Sequence, residues 1–258
     1  MSRPTPRASS THPAHYSYAF YADPAMASQF DAARFGGPIG ELLAETQARV
    51  LMEFAQITPG TTALDVGTGT GRAALTLAAA GARVTGVDAS GEMLSVARER
   101  ALRQRHQIVF APADAHALPF HDRAFDLAVS LRVLMHTPDW RRCVGEICRV
   151  ARRSVILDYP ALASAAAFQA AARRTASVFG ARVEAYRVFR DRAVRQELAR
   201  HGFEVRRTHR QFVLPIALHK RLGSRRLTET IENALGSLGL LNLLGSPVTV
   251  LAVRCGSS

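Results

Sequence analysis

The sequence predicts an α/β fold: a doubly wound, mostly parallel sheet with helices on both faces. Three observations carry this. Between about residues 60 and 160, short apolar runs alternate with helical patterns, as repeated βαβ units require. The first run, Ala63 to Val66, leads into Gly67-Thr68-Gly69-Thr70-Gly71 and then an alanine-rich helical pattern. That is a strand, a tight turn and a helix N-terminus, which brings backbone close to a nucleotide-like ligand. The 258 residues are 48% hydrophobic, enough to bury a real core.

The elements follow in order. Residues 1 to 15 are rich in Ser, Thr, Pro, Arg and His and read as a flexible tail. Tyr16, Tyr18, Phe20 and Tyr21 cluster next. A helix is expected from about Pro38 to Phe54, with Leu42, Leu43, Val50, Leu51 and Phe54 as its buried stripe. Pro59-Gly60 turns the chain into the first strand. Its helix runs from Gly71 to about Ala80 and stops at Gly81. The second strand is Arg83 to Val87. Ser90 caps a helix with the stripe Met93, Leu94, Ala97 and Ala101. Gln107 to Phe110 and Phe125 to Val129 are the next strands. Thr137-Pro138 reads as a helix start, with Pro in the first turn. Trp140, Val144 and Ile147 would face inward from that helix. Ser154 to Leu157 is the fifth strand. Beyond Pro160 come helices at 161–180, Arg192 to Arg200 and Ser224 to Leu238. The last has the stripe Leu227, Ile231, Ala234, Leu235 and Leu238. Strands are expected at Phe203 to Leu214 and Pro247 to Val253.

The formal net charge is +12 and the pI about 11.0. Such a balance can signal nucleic acid or a membrane surface. Here Lys220 is the only lysine, and the arginines are scattered along the chain. General solvation of surface faces explains them better than a polyanion groove, so a nucleic-acid partner is not expected. Cys143, Cys148 and Cys255 are too few and too scattered for a disulfide framework, and no CxxC pair exists for zinc. Reduced thiols and a cytoplasmic protein are expected. No run is apolar enough to span a bilayer, and the N-terminus lacks the apolar core of a secretory signal.

The strand-end acids sharpen the reading. Asp65 stands just before the glycine turn, Asp88 ends the second strand, and Asp114 follows the third. A pyrophosphate would not welcome Asp65, whereas a ligand carrying positive charge would. Leu64-Asp65-Val66-Gly67-Thr68-Gly69-Thr70-Gly71, Gly86-Val87-Asp88-Ala89-Ser90 with Met93-Leu94, Ala113-Asp114-Ala115 with Leu118-Pro119-Phe120, and Phe125-Asp126-Leu127 occur in that order. Over residues 60 to 160 the chain resembles the class I S-adenosylmethionine-dependent methyltransferases, in the small-molecule branch that includes the quinone-biosynthesis enzymes. A dehydrogenase would space its glycines as Gly-x-Gly-x-x-Gly; here the third falls early, at Gly71, and position 72 is Arg72.

The resemblance implies a Rossmann-like, seven-stranded sheet with an antiparallel last strand, and helical insertions after strand five and before the last strand. It implies one domain over 16–258: a helical lid at 16–58, a cofactor core at 59–160 and substrate-side helices with closing strands at 161–258. The implied cofactor is S-adenosyl-L-methionine, held by Asp65, Gly67, Thr68, Gly69, Gly71, Asp88, Ala89, Met93, Asp114, Ala115 and Ser130. Asp65 would serve the methionine amino group, Asp88 the ribose hydroxyls, Asp114 with the Ala115 backbone the adenine amino group, and Met93 the adenine face. His136, on the loop leaving the fourth strand, is the candidate base. Tyr21 and Arg132 are substrate candidates.

Some acceptor classes are disfavoured. There is no Asn- or Asp-Pro-Pro-aromatic run after the fourth strand, as amino-methylating nucleic-acid enzymes carry. Ser130 is a poor replacement for the acid that a magnesium-assisted catechol enzyme needs there, so no metal is expected. The expected reaction is methyl transfer to an oxygen or carbon atom of a small apolar or aromatic acceptor. An RNA methyltransferase and a non-catalytic S-adenosylmethionine-binding protein are the alternatives. The segments beyond residue 160 suggest either a cap over the acceptor or a homodimer interface.

Overall fold

The computed structural model describes residues 23–164 and 187–256. The expected tail, Tyr21 and nearly all of the 161–180 helix lie outside the described residues. Within them a seven-stranded sheet has the order β3-β2-β1-β4-β5-β7-β6. Its strands are β1 (Thr62–Val66), β2 (Arg83–Asp88), β3 (Ile108–Pro112), β4 (Phe125–Ser130), β5 (Ala151–Tyr159), β6 (Phe203–Phe212) and β7 (Ser246–Arg254). Pairing is parallel from β3 through β5, and β7 runs antiparallel to both of its neighbours. The expected architecture, with its one antiparallel last strand, is the one observed.

Helices cover both faces. α1 (Pro24–Phe35) and α2 (Gly37–Ala55) precede the sheet. α3 (Arg72–Ala79), α4 (Gly91–Arg103) and α5 (Trp140–Val150) connect its parallel strands, and α6 (Asp191–Arg200) precedes β6. α7 (Ile216–Leu222), α8 (Arg225–Ser237) and α9 (Leu240–Leu244) form the insertion before β7. One core layer packs Trp140, Val144 and Ile147 of α5 and Leu198 of α6 against the sheet. The other packs Val50, Leu51 and Phe54 of α2 and Leu77 of α3 on its opposite face. The α4 stripe of Met93, Leu94, Ala97 and Ala101 is buried, and Ser90 Oγ accepts the Met93 N–H at 3.1 Å as the expected cap. No helix among the described residues is long and apolar enough to cross a membrane.

Three local readings need correction. α1 was not anticipated: Asp23 caps it by accepting the N–H groups of Ala25 and Met26, a start signal hidden beside the tyrosine cluster. Thr137-Pro138 does not open α5. Proline keeps the residue before it out of the helical region, and Thr137 is extended (φ −85, ψ 141). Thr137 Oγ1 instead donates to the Leu134 carbonyl at 3.1 Å, closing a 3₁₀ turn at Leu134–His136. Asp139 caps α5 by accepting the N–H groups of Arg141 and Arg142.

The third correction concerns α8. Its apolar stripe is not its buried face: Leu227 is 44% and Leu238 is 74% exposed, while Thr228 and Glu232 are buried. Those two side chains close on the fully buried His219 of α7. His219 Nε2 lies 2.8 Å from Glu232 Oε1, and its Nδ1 lies 3.1 Å from Thr228 Oγ1. Glu232 also accepts the backbone N–H groups of Val213 and Leu214, at 2.7 and 3.0 Å. A polar cluster therefore fastens the insertion to the end of β6.

Candidate active site

Strand order reverses between β1 and β4, so the crevice at their carboxyl ends is the natural ligand site of this fold. A cavity of about 180 Å³ lies there. Gly67 and Gly69 shape its floor with φ of +70 and +54, a region L side chains rarely adopt. A Cβ on Gly67 would stand 2.3 Å from Val133 Cγ2, so the turn packs against the loop after β4. A Cβ on Gly69 would meet nothing within 4 Å, leaving a cradle open for a ligand. Gly71 does not line the cavity. It starts α3, and a Cβ there would press on Ala97 of α4 at 3.0 Å. Its place in the turn is explained by helix packing.

The turn is tied down by carboxylates. Asp65 Oδ2 accepts the Thr68 hydroxyl at 2.6 Å and the Ala74 N–H at 3.1 Å. Asp88 accepts the Gly69 N–H at 2.8 Å and the Ser90 N–H at 2.9 Å. Burial pushes the Asp65 carboxyl up to about 6, the two hydrogen bonds oppose the rise, and the nearby Asp88 adds to it. Asp88 is raised too, again chiefly by burial. Two acids share this wall and neither is ion-paired, so a positively charged ligand group is what the site lacks.

Asp114 and Ala115 border the cavity beyond β3. Asp114 Oδ1 accepts the His116 N–H at 2.9 Å and lies 2.7 Å from His116 Nδ1. His116 is 3% exposed and lines the cavity; read in sequence it is an ordinary loop histidine. Thr68, Ala89 and the buried Met93 complete this side. Ser130 needs correction as a cavity residue. It is fully buried, its hydroxyl donates to the Val66 carbonyl at 3.0 Å, and it does not line the cavity.

Arg72 joins the site unforeseen. It lines the cavity, its guanidinium stacks 3.8 Å from the Phe35 ring centroid, and its buried Nε has no hydrogen-bond partner. α1 closes the same end: Asp31 accepts the Thr70 hydroxyl at 3.1 Å and pairs with Arg100. The signal for both was present as an arginine directly after the turn and an isolated acid upstream. Neither pattern is specific without the fold.

A second, larger cavity of about 400 Å³ adjoins the first. Phe35, Arg132 and His136 border both. Arg132 has φ +62, unusual for a side chain of this size. Its N–H donates to the buried Asp158, which holds the backbone there. Burial raises the Asp158 carboxyl to about 6, opposed by Arg132 and by a hydrogen bond from Gln47. No group of three or more His, Cys, Asp or Glu among the described residues is arranged to hold a metal ion.

Comparison with known proteins agrees with this geometry. Residues 64–157 match the methyltransferase domain family. Demethylmenaquinone methyltransferase of Thermus thermophilus is 40% identical over 102 residues, 38% of this chain and 46% of that protein. Methyltransferase GfsG of Streptomyces halstedii is 34% identical over 149 residues, 57% of this chain and 49% of that one. The matches therefore span about half the length, or less, of these curated relatives. In fold, the chain resembles magnesium protoporphyrin IX methyltransferase from Synechocystis PCC 6803, solved with bound SAH, with a TM-score of 0.65 at 18% identity. That alignment covers 92% of this chain and 97% of the other. The chain carries a class I S-adenosylmethionine-dependent methyltransferase domain, of Rossmann-like fold.

Proposed function

We propose that the protein binds S-adenosyl-L-methionine over the glycine turn and transfers its methyl group to an oxygen or carbon atom of a small, apolar or aromatic acceptor. The observation that carries this reading is the pair of adjoining cavities with Arg132 and His136 on their common wall. The residues of the first cavity fit the cofactor. Asp65 and Asp88 offer negative charge and acceptors for an ammonium group and a ribose diol. Asp114 and Ala115 suit the adenine edge, and Met93 its face. Arg72, with its orphaned Nε, suits the amino-acid carboxylate. Helices α1 and α2 form the lid, latched through Asp31.

When bound, the sulfonium supplies an already activated methyl group, so the protein's share is alignment and exclusion of water. The acceptor's new bond to the methyl carbon forms as the carbon–sulfur bond breaks, and a proton leaves where the attacking atom carries one. His136 is 7% exposed and borders both cavities, where it can take that proton. His136→Ala is expected to lower kcat by about a hundredfold with cofactor affinity preserved. Unchanged turnover at saturating cofactor would remove the base role.

The reading as a whole is tested with tritium-methyl cofactor offered to fractionated acceptor pools, alongside calorimetry of cofactor binding. Binding without transfer to any pool would favour a non-catalytic cofactor-binding protein. Salt-sensitive RNA binding with label in RNA would favour an RNA methyltransferase.

A pH effect follows from Asp65. Its folded pKa, about 6, exceeds the model value of 3.8. Protonation therefore favours the cofactor-free folded state. That contribution is complete below about pH 4 and is lost as pH rises through 6. A cationic ligand group reverses the preference by favouring the carboxylate. Cofactor binding between pH 5 and 7 should release protons, and affinity should fall as pH drops through 6. Calorimetry in buffers of different ionisation enthalpy reads the release, which Asp65→Asn should abolish.

A further inference from the structure

The proposed function leaves one group unused: the cations around the second cavity. Arg34 at the end of α1, Arg132 after β4 and Lys220 on α7 come from three separate elements and all line it. Asp158 is the lone carboxylate in the same lining, already engaged by the Arg132 N–H and Gln47. The lining thus carries three formal positive charges against one negative.

Lys220 is the informative member. It is the single lysine of the chain. Its Nζ donates to the Ala33 and Arg34 carbonyls at 3.3 and 3.0 Å, and it forms no ion pair. Burial holds its ammonium below the usual lysine range, and the charges of Arg132 and Arg34 add to that effect, so the three cations sense one another. Like charges assembled without a counter-charge are costly unless a ligand supplies it. The rest of the wall is apolar, with Leu43, Phe212, Val213 and Ile216 prominent. The buried His219–Glu232 pair sits next to Lys220 in sequence and fixes α7 against the end of β6, so the lysine is presented from a braced helix. Arg34 and Lys220 border only this cavity, whereas Arg132 and His136 border the cofactor cavity as well.

We infer that the acceptor is an amphiphilic acid: an apolar body with one anionic group, seated at the mouth between Lys220 and Arg34 and pointing its reacting atom toward His136. This rests on the methyl-transfer reading for the reacting end, but not for the binding of the anion.

The test uses the full chain and three probes with one apolar body: a 4-alkoxybenzoate, its methyl ester and the corresponding phenyl phosphate. Each is titrated by calorimetry with and without S-adenosylhomocysteine. The charged probes should bind about tenfold tighter than the ester, and added salt should erode the difference. A preference between carboxylate and phosphate identifies the anion. Lys220→Met should abolish the charged-over-neutral preference while S-adenosylhomocysteine affinity stays the same, and Lys220→Arg should largely keep it. Equal affinities for acid and ester, or a preference untouched in Lys220→Met, would overturn the inference. If S-adenosylhomocysteine fails to bind while the acids still do, the methyl-transfer reading fails and the anion site stands.

Discussion

Asp88→Ala is expected to weaken S-adenosylmethionine binding by about a hundredfold, or roughly 3 kcal/mol. The expectation rests on two jobs held by one carboxylate. Its oxygens accept the N–H groups of Gly69 and Ser90, so it fixes both the glycine turn and the entry to α4. It also borders the cavity, where the proposed ribose hydroxyls would find their acceptor. Hydrogen bonds to a charged acceptor contribute about 1.5–3 kcal/mol each, more than neutral ones. Alanine removes the ligand contacts and frees the Gly69 N–H at the point where the backbone must cradle the cofactor. Asp88→Asn keeps a single side-chain oxygen and nearly the same volume, so an intermediate loss is expected. Calorimetry supplies the affinities, and a thermal melt without ligand separates loss of binding from loss of fold. A folded Asp88→Ala protein with undiminished affinity would remove Asp88 from the cofactor site.

What the sequence made legible was what local chemistry decides. The apolar runs of β1, β2 and β4 end at acids or glycines, and those positions fall at the strand ends where the cavity lies. Asp65, Asp88 and Asp114 could be named because an acid terminating a buried strand has few structural uses. Ser90 could be named as a cap because its side chain acts within three residues. Ser130 was misplaced because a small hydroxyl at a strand end can turn either way. Only the neighbouring Val66 carbonyl, across the β1–β4 pairing, decides that it turns inward. Arg72, His116 and Lys220 were passed over for the same reason: each reaches the cavities through packing that no spacing encodes. The α8 stripe failed differently. Leu227 and Leu238 have helical periodicity, but the partner surface offers His219 and two backbone N–H groups, so the helix turns Glu232 inward. Amphipathicity predicts a helix well, and which face is buried only when the neighbour is apolar.

That inverted helix leads to the largest expected stability effect outside the sheet. Glu232→Ala should cost about 3 kcal/mol or more and lower Tm by roughly 10 °C. The carboxylate accepts the N–H groups of Val213 and Leu214 and faces His219 Nε2, and its side chain is only 9% exposed. Alanine leaves two main-chain donors and a buried imidazole short of partners, and water has little access to replace it. Glu232→Gln retains one acceptor oxygen and turns an amide N–H₂ toward groups that themselves donate, so a smaller loss is expected. Glu229, one turn earlier, is the control. It pairs with Arg225 at 3.0 Å with both side chains 43% exposed, and exposed pairs of this kind are worth at most about 1 kcal/mol. Glu229→Ala should therefore barely shift the melt. The damage should also be local. Hydrogen exchange in Glu232→Ala should accelerate across residues 213–222, the end of β6 and α7, and leave β1, β2 and β4 protected. Because α7 carries Lys220, acid binding in the second cavity should weaken with it while cofactor affinity holds. A melt no lower than that of Glu229→Ala would show that the polar cluster does not fasten the insertion, and the braced placement of Lys220 would lose its basis.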